Sequence, residues 1–271
     1  MVTQEELLKK GKEMANSALQ KFIKNIGLNT EDFNHLYNIP MNLTNNIVPM
    51  DFSSYNPRLN IIKINQTKLK EYITMINEKK KLEIVVVVNI AKNIVHEMLR
   101  ANRTVTMFNN ETRRIETDLI STFYDRKEGE TDEDAEVRIE HQTSFEEIIT
   151  KSLSEIIIQS RDENNPDFEE INNKIQKNID NKEIYLGLKI LEVLNEDKIE
   201  TYKWFMTDTY QEKHYDLYEE TFKEDYNDLL YYADEIYQIS YCDQVIPPVY
   251  IIEALAIIDK VKNERKKEKR R

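Results

Sequence analysis

Glycine and proline are scarce in this chain, 4 and 6 of 271 residues. That scarcity argues against an all-β fold, which needs tight turns at short intervals. Cys242 is the only cysteine, so neither an intramolecular disulfide nor a cysteine-based zinc site can form. A lone thiol fits a reducing compartment, and Cys242 is expected to pack in a core. No apolar run approaches the ~18 residues that span a bilayer. The stretch 1–12 is charged and lacks the apolar centre of a secretion signal. These absences give the expectation of a cytoplasmic protein with no membrane partner. There is also no glycine-rich phosphate loop and no internal repeat.

What is present favours helix. Hydrophobic residues make up 40%, enough for a sizeable core, and long stretches are rich in Glu, Lys, Leu and Ile. The abundance of Asn, Lys and Ile points to an AT-rich bacterial or phage source. The net charge of -12 makes a general nucleic-acid surface unlikely, apart from the basic tail from Lys260 to Arg271. That tail is expected to be a solvated helix end, with contact to an acidic partner as the other option.

The apolar spacing predicts a helix over 3–26 that stops at Gly27. Residues 29–57 hold three prolines and many asparagines and read as loop with short strands. The β-branched run 59–65 predicts a strand, followed by a helix over 67–77 capped by Thr67. Four valines make 82–103 strand-like by propensity, yet nothing breaks the run before His96, so one buried helix is expected. Residues 104–108 read as extended, with 113–115 as a hairpin partner beyond the Asn109-Asn110 turn. The charged run 125–140 is expected to be a solvated loop. Ser144 and Glu147 have capping-box spacing, which places a helix start at Ser144. After the linker 161–167, helices are expected at 168–179, 182–195, 197–211, 213–239 and 247–265. Most of the 15 tyrosines fall in that part, and an amphipathic core with hydroxyls at its rim is expected rather than a stacking platform.

The residues that bear on chemistry begin with Val95-His96-Glu97-Met98-Leu99-Arg100. On a helix His96 and Arg100 share a face. A histidine at 100 would complete H-E-x-x-H, in which two imidazoles hold zinc and the glutamate activates water. Arg100 stays protonated and cannot ligate a cation. A second stretch, Phe145-Glu146-Glu147-Ile148-Ile149-Thr150, follows on a later helix.

Strand 59–65, the His96-Glu97 helix and the Glu147 helix come in an order that resembles the zincin metallopeptidases, in the branch whose third ligand is a glutamate. The likeness covers roughly residues 59–157. Together with the helices and the basic run read above, it gives the expectation of an α+β, mostly helical chain: a zincin-like part with a small sheet over 1–160, a helical part over 161–265, and a basic tail over 266–271. It also implies a strand beside the active-site helix, His96 and Glu147 as metal ligands and Glu97 as catalytic base. Three departures accompany it: Arg100 for the second histidine, Glu146 for the motif's Asn, and Lys151 where the branch often has an acidic residue. An arginine fork can pair with both Glu97 and Glu147, whose carboxylates would otherwise raise each other's pKa. Arg100 would then replace zinc electrostatically, leaving a protein without peptidase activity, a binding or scaffold module with a protein or peptide partner and no cofactor.

Two alternatives stand beside it. An active zinc-dependent peptidase would need a substitute ligand, and His141, six residues before Glu147, is the candidate. An all-helical interaction protein would have no catalytic ancestry, with His96 a hydrogen-bonded core residue and Glu97 and Arg100 a surface i,i+3 pair.

Overall fold

A computed structural model describes residues 2–109, 114–119, 131–164, 166–194, 197–207 and 212–268. The elements in chain order are α1 (Gln4–Asn25), α2 (Asn34–Tyr37), β1 (Met41–Thr44), β2 (Ser53–Asn56), β3 (Ile61–Asn65), α3 (Gln66–Asn77), α4 (Glu83–Asn102), β4 (Thr104–Asn109), β5 (Arg114–Leu119), α5 (Asp132–Gln159), α6 (Phe168–Asn178), α7 (Lys182–Leu194), α8 (Lys198–Thr207), α9 (Glu212–Phe222), α10 (Tyr226–Tyr241) and α11 (Pro248–Glu268). The chain is mostly helical with one small three-stranded sheet. It forms two compact units: Met1–Thr117 with Ser154–Asp167, and Asp118–Leu153 with Phe168–Arg271. The breaks between these units lie near 117, 153 and 167. Among the described residues no helix is long and apolar enough to cross a membrane.

In the first unit α1 starts with a reciprocal cap: Thr3 Oγ accepts from the Glu6 N–H, and Glu6 Oε2 accepts from the Thr3 N–H. It ends as expected at Gly27, whose φ of 79° is the left-handed conformation glycine adopts without strain. There the Leu28 N–H bonds back to Ile23 O and the Gly27 N–H to Lys24 O, closing the helix end. The buried stripe of α1 (Leu7, Gly11, Ala15, Ala18, Phe22) packs on α4. At the crossing a Cβ on Gly11 would stand 2.3 Å from Ile90 Cγ2, so only glycine allows this approach.

The four valines do lie inside α4, a single helix, because its apolar stripe (Val86, Val87, Ile90, Ala91, Ile94, Val95, Met98) is buried along its length. β3 is the middle strand, parallel to β1 and antiparallel to β2. Ile62 and Ile64 point into the core, and β2 lies against α4. The cap of α3 is Asn65 rather than Thr67: Asn65 Oδ1 accepts from the Thr67 and Lys68 N–H groups. β4 and β5 pair with each other, as the turn signal between them predicts.

The second unit is helical around α7, whose last eight residues from Gly187 to Leu194 are buried except for half-exposed Lys189 and Glu192. A helix buried nearly all round needs partners on every side, and α6, α8, α9, α10 and α11 supply them. Gly187 marks a close crossing with α5: a Cβ there would meet Ser152 Oγ at 2.1 Å and Ile148 O at 2.7 Å.

Four expectations are corrected here. The helix carrying Glu147 begins at Asp132, so 132–140 is helix, not loop; residues 120–130 lie outside the described set. An acidic run suits the positive end of a helix dipole, so charge alone does not exclude helix. Ser144 is consequently interior, and its hydroxyl donates to Asp234 Oδ1 instead of capping. Cys242 is exposed, because α10 ends at Tyr241 before the thiol can reach a core. The basic tail is in part docked, not merely solvated: Lys262 pairs with Glu192, and Arg265 donates to Leu194 O at the negative end of α7.

Candidate functional site

Glu97 is the one carboxylate on the apolar stripe of α4, three residues after Ile94, and its side chain is only 3% exposed. A buried carboxylate needs donors. It finds them on β2: the Ser53 hydroxyl donates to Oε1 at 3.0 Å and the Tyr55 backbone N–H donates to Oε2 at 2.8 Å. Arg100 Nη1 lies 3.6 Å from Oε2. The pair is thus an i,i+3 pair, as one reading of the sequence has it, but its acid is buried and not on the surface. Both carboxylate oxygens are engaged, and what they engage is the edge of the sheet. The strand beside this helix is β2, not the expected run 59–65, whose β3 lies one strand further in.

His96 is half-buried on the neighbouring face, with Lys92 one turn before it and Arg100 one turn after. Lys92 Nζ pairs with Glu155 Oε2 at 2.9 Å, joining α4 to the last turns of α5 within the same unit. Lys92, His96 and Arg100 form a row at four-residue spacing, and its two cations are each paired with a carboxylate, Glu155 and Glu97.

His141 and Glu147 belong to the second unit. They sit on the same continuous helix, six residues apart, which sets them about 9 Å apart along the axis and turned roughly 120° from one another. His141 Nε2 lies 3.6 Å from Asp234 Oδ2, and its ring packs edge-on against Tyr231. Asp234 also accepts from Ser144 and Gln238. Glu147 is buried. Lys151, one turn further, is neutralised by Glu183 at 2.6 Å, which accepts from Ser240 as well, and its ammonium lies 4.7 Å from the Tyr237 ring centre.

The donor set does not fit a catalytic zinc. Such a site needs three protein ligands and an open position. Here Glu97 is engaged with β2, Arg100 follows His96 by one helical turn, and within the second unit His141 lies against Asp234. Among the described residues, no group of three or more His, Cys, Asp or Glu side chains is arranged to hold a metal ion. The sequence carried no local signal for Ser53, Tyr55 or Glu155 as partners. A glutamate on an apolar stripe was the sign that buried donors had to exist. No family model, curated protein or solved structure matches this chain.

Proposed function

We propose that this chain is a metallopeptidase-like protein that performs no peptidase chemistry and acts as a binding or scaffold module. The observation that carries the reading is the Glu97 carboxylate. A general base must face the water it activates. Glu97 instead accepts from Ser53 and from the Tyr55 N–H and forms an ion pair with Arg100, which makes it a clasp between α4 and the sheet. Motif order resembling a glutamate-ligand zincin supplies the ancestry, and Arg100 supplies the loss.

Elemental analysis of the wild type and of Arg100→His tests it. The wild type should lack stoichiometric zinc, and Arg100→His should gain zinc affinity by restoring the second imidazole one turn after His96. About one zinc per wild-type chain, lost on His141→Ala, would support an active enzyme instead. A second reading, an interaction protein with no catalytic ancestry, is favoured by the way His141 and Ser144 both serve Asp234 on α10. Absence of zinc in both proteins, even with added metal, would select it, and His96, Glu97 and Glu147 would then carry no metal-site role.

A further inference from the structure

From Glu224 to Asp259 the chain runs 36 residues with eight Asp or Glu, six Tyr and no Lys, Arg or His. Chain-wide, 38 of 271 residues are Lys or Arg, so about five would be expected in a stretch of that length. The stretch builds α10, the connection after it and the first half of α11, all within the second unit. Its tyrosines divide by position. Tyr226 is buried, as the expected core reading requires. Tyr231, Tyr232 and Tyr250 instead gather at the surface, with ring centres 5.4, 6.5 and 6.5 Å apart. Tyr231 is 42% exposed, and exposed Val249 and Ile252 lie on the first turns of α11 beside Tyr250.

Carboxylates lie beside these rings, and the His141 ring of α5 packs edge-on against Tyr231. Glu235 acts on Tyr250, holding its hydroxyl above the usual range together with burial and Tyr231. Burial, then Glu253 and Asp228, do the same to Tyr232. Asp234 is taken up by Ser144, Gln238 and His141, and Asp225 and Glu224 by Lys260, so Asp228, Glu235 and Glu253 set the charge next to the rings. A tyrosine face carries negative charge density, and an ammonium or guanidinium over it is attracted. Rings, aliphatic neighbours and carboxylates together match a segment that offers cations on apolar stems, which arginine and lysine side chains do.

We propose that the Tyr231–Tyr232–Tyr250 face is a docking surface for an arginine- and lysine-rich peptide segment of a protein partner. The cationic heads lie against the tyrosine faces and pair with Asp228, Glu235 and Glu253, while their stems cover Val249 and Ile252. This names the partner chemistry for the binding-module reading and rests on that reading. It uses none of the residues around Glu97, so zinc analysis and peptide binding fail separately.

The test is calorimetric titration of the full chain with a twelve-residue synthetic peptide alternating Arg, Lys and Leu, and with a control peptide in which Gln replaces every Arg and Lys. The basic peptide should bind and weaken as salt rises from about 0.05 to 0.5 M, where the Debye length shortens severalfold. Tyr231→Leu, which keeps the apolar area, should weaken binding about two- to fivefold, and Glu235→Gln with Glu253→Gln should weaken it further. Melting temperatures like that of the wild type confirm that these surface variants fold. Equal affinity for the Gln peptide, no loss in the variants, or no binding at low salt would each overturn the proposal. So would self-association of the chain through this face that excludes the peptide, because a second copy would then be its occupant.

Discussion

Replacing Glu97 by alanine removes the acceptor that β2 shares with α4. Two hydrogen bonds end on this carboxylate, at 3.0 Å from Ser53 and 2.8 Å from the Tyr55 N–H. A hydrogen bond to a charged group contributes about 1.5–3 kcal/mol. The serine is buried, whereas the Tyr55 amide is only part-buried and can recruit water. The expected loss is therefore roughly 3–4 kcal/mol, toward the lower end of two such bonds. Glu97→Gln keeps one accepting oxygen and turns an NH2 group toward the other donor, so about 1–3 kcal/mol is expected. Because the chain forms two units, a single melting curve can blend them, and a local probe is preferable. Amide exchange of Tyr55 reads the clasp itself. A loss of about 3 kcal/mol raises the population of the open state by roughly 100-fold. Glu97→Ala should speed Tyr55 exchange by about that factor, and Glu97→Gln by less. Unchanged exchange at Tyr55 in Glu97→Ala, with stability within about 0.5 kcal/mol of wild type, would refute the clasp.

Other outcomes follow from the same geometry. Glu183→Gln should destabilise the second unit by about 2–3 kcal/mol, below the full cost of breaking a buried pair because Lys151 is 28% exposed, as measured by urea midpoint. Gly11→Ala and Gly187→Ala should each lower stability by roughly 1–3 kcal/mol despite the better helix propensity of alanine. Ser152→Ala should recover only part of the Gly187→Ala loss, because the Ile148 carbonyl remains in the way. On the alkaline side, burial pushes the Tyr37 hydroxyl up to about 12, while an unfolded chain ionises tyrosine near pH 10. The folded state keeps that proton longer, so this contribution is intact below about pH 10 and is lost as pH rises toward 12. Tyr202 and Tyr226, also raised by burial, act in the same direction. Tyrosinate absorbance should therefore rise together with loss of helix, and full ionisation with the helix signal intact would contradict the burial.

Much of the helical framework is legible in the residue pattern. The stripe from Leu7 to Phe22, the stop at Gly27 and the unbroken run into His96 each declare an element through local periodicity. The C-terminal helices follow for the same reason, with one break at 223–225 where α9 passes into α10. What the pattern does not show is short or distant. Short strands are expected within 29–57, but β1 and β2 are four residues each, too short for alternation to place them among prolines and asparagines. The start of α5 hides in a charged run, where charge suggests solvent but not conformation. The partners of Glu97 lie 44 and 42 residues away in sequence, and the Lys151–Glu183 bond spans 32. The tyrosines illustrate the limit well: composition marks them as core, and only their placement separates buried Tyr226 from the exposed group around Tyr231.

The central claim is that Glu97 holds a strand and activates no water. Incubating the wild type and Glu97→Gln with a peptide mixture in zinc-containing buffer, and following the products by mass spectrometry, tests it most directly. The account predicts the same absence of cleavage in both. Zinc-dependent cleavage by the wild type, abolished in a Glu97→Gln protein that remains folded, would contradict it.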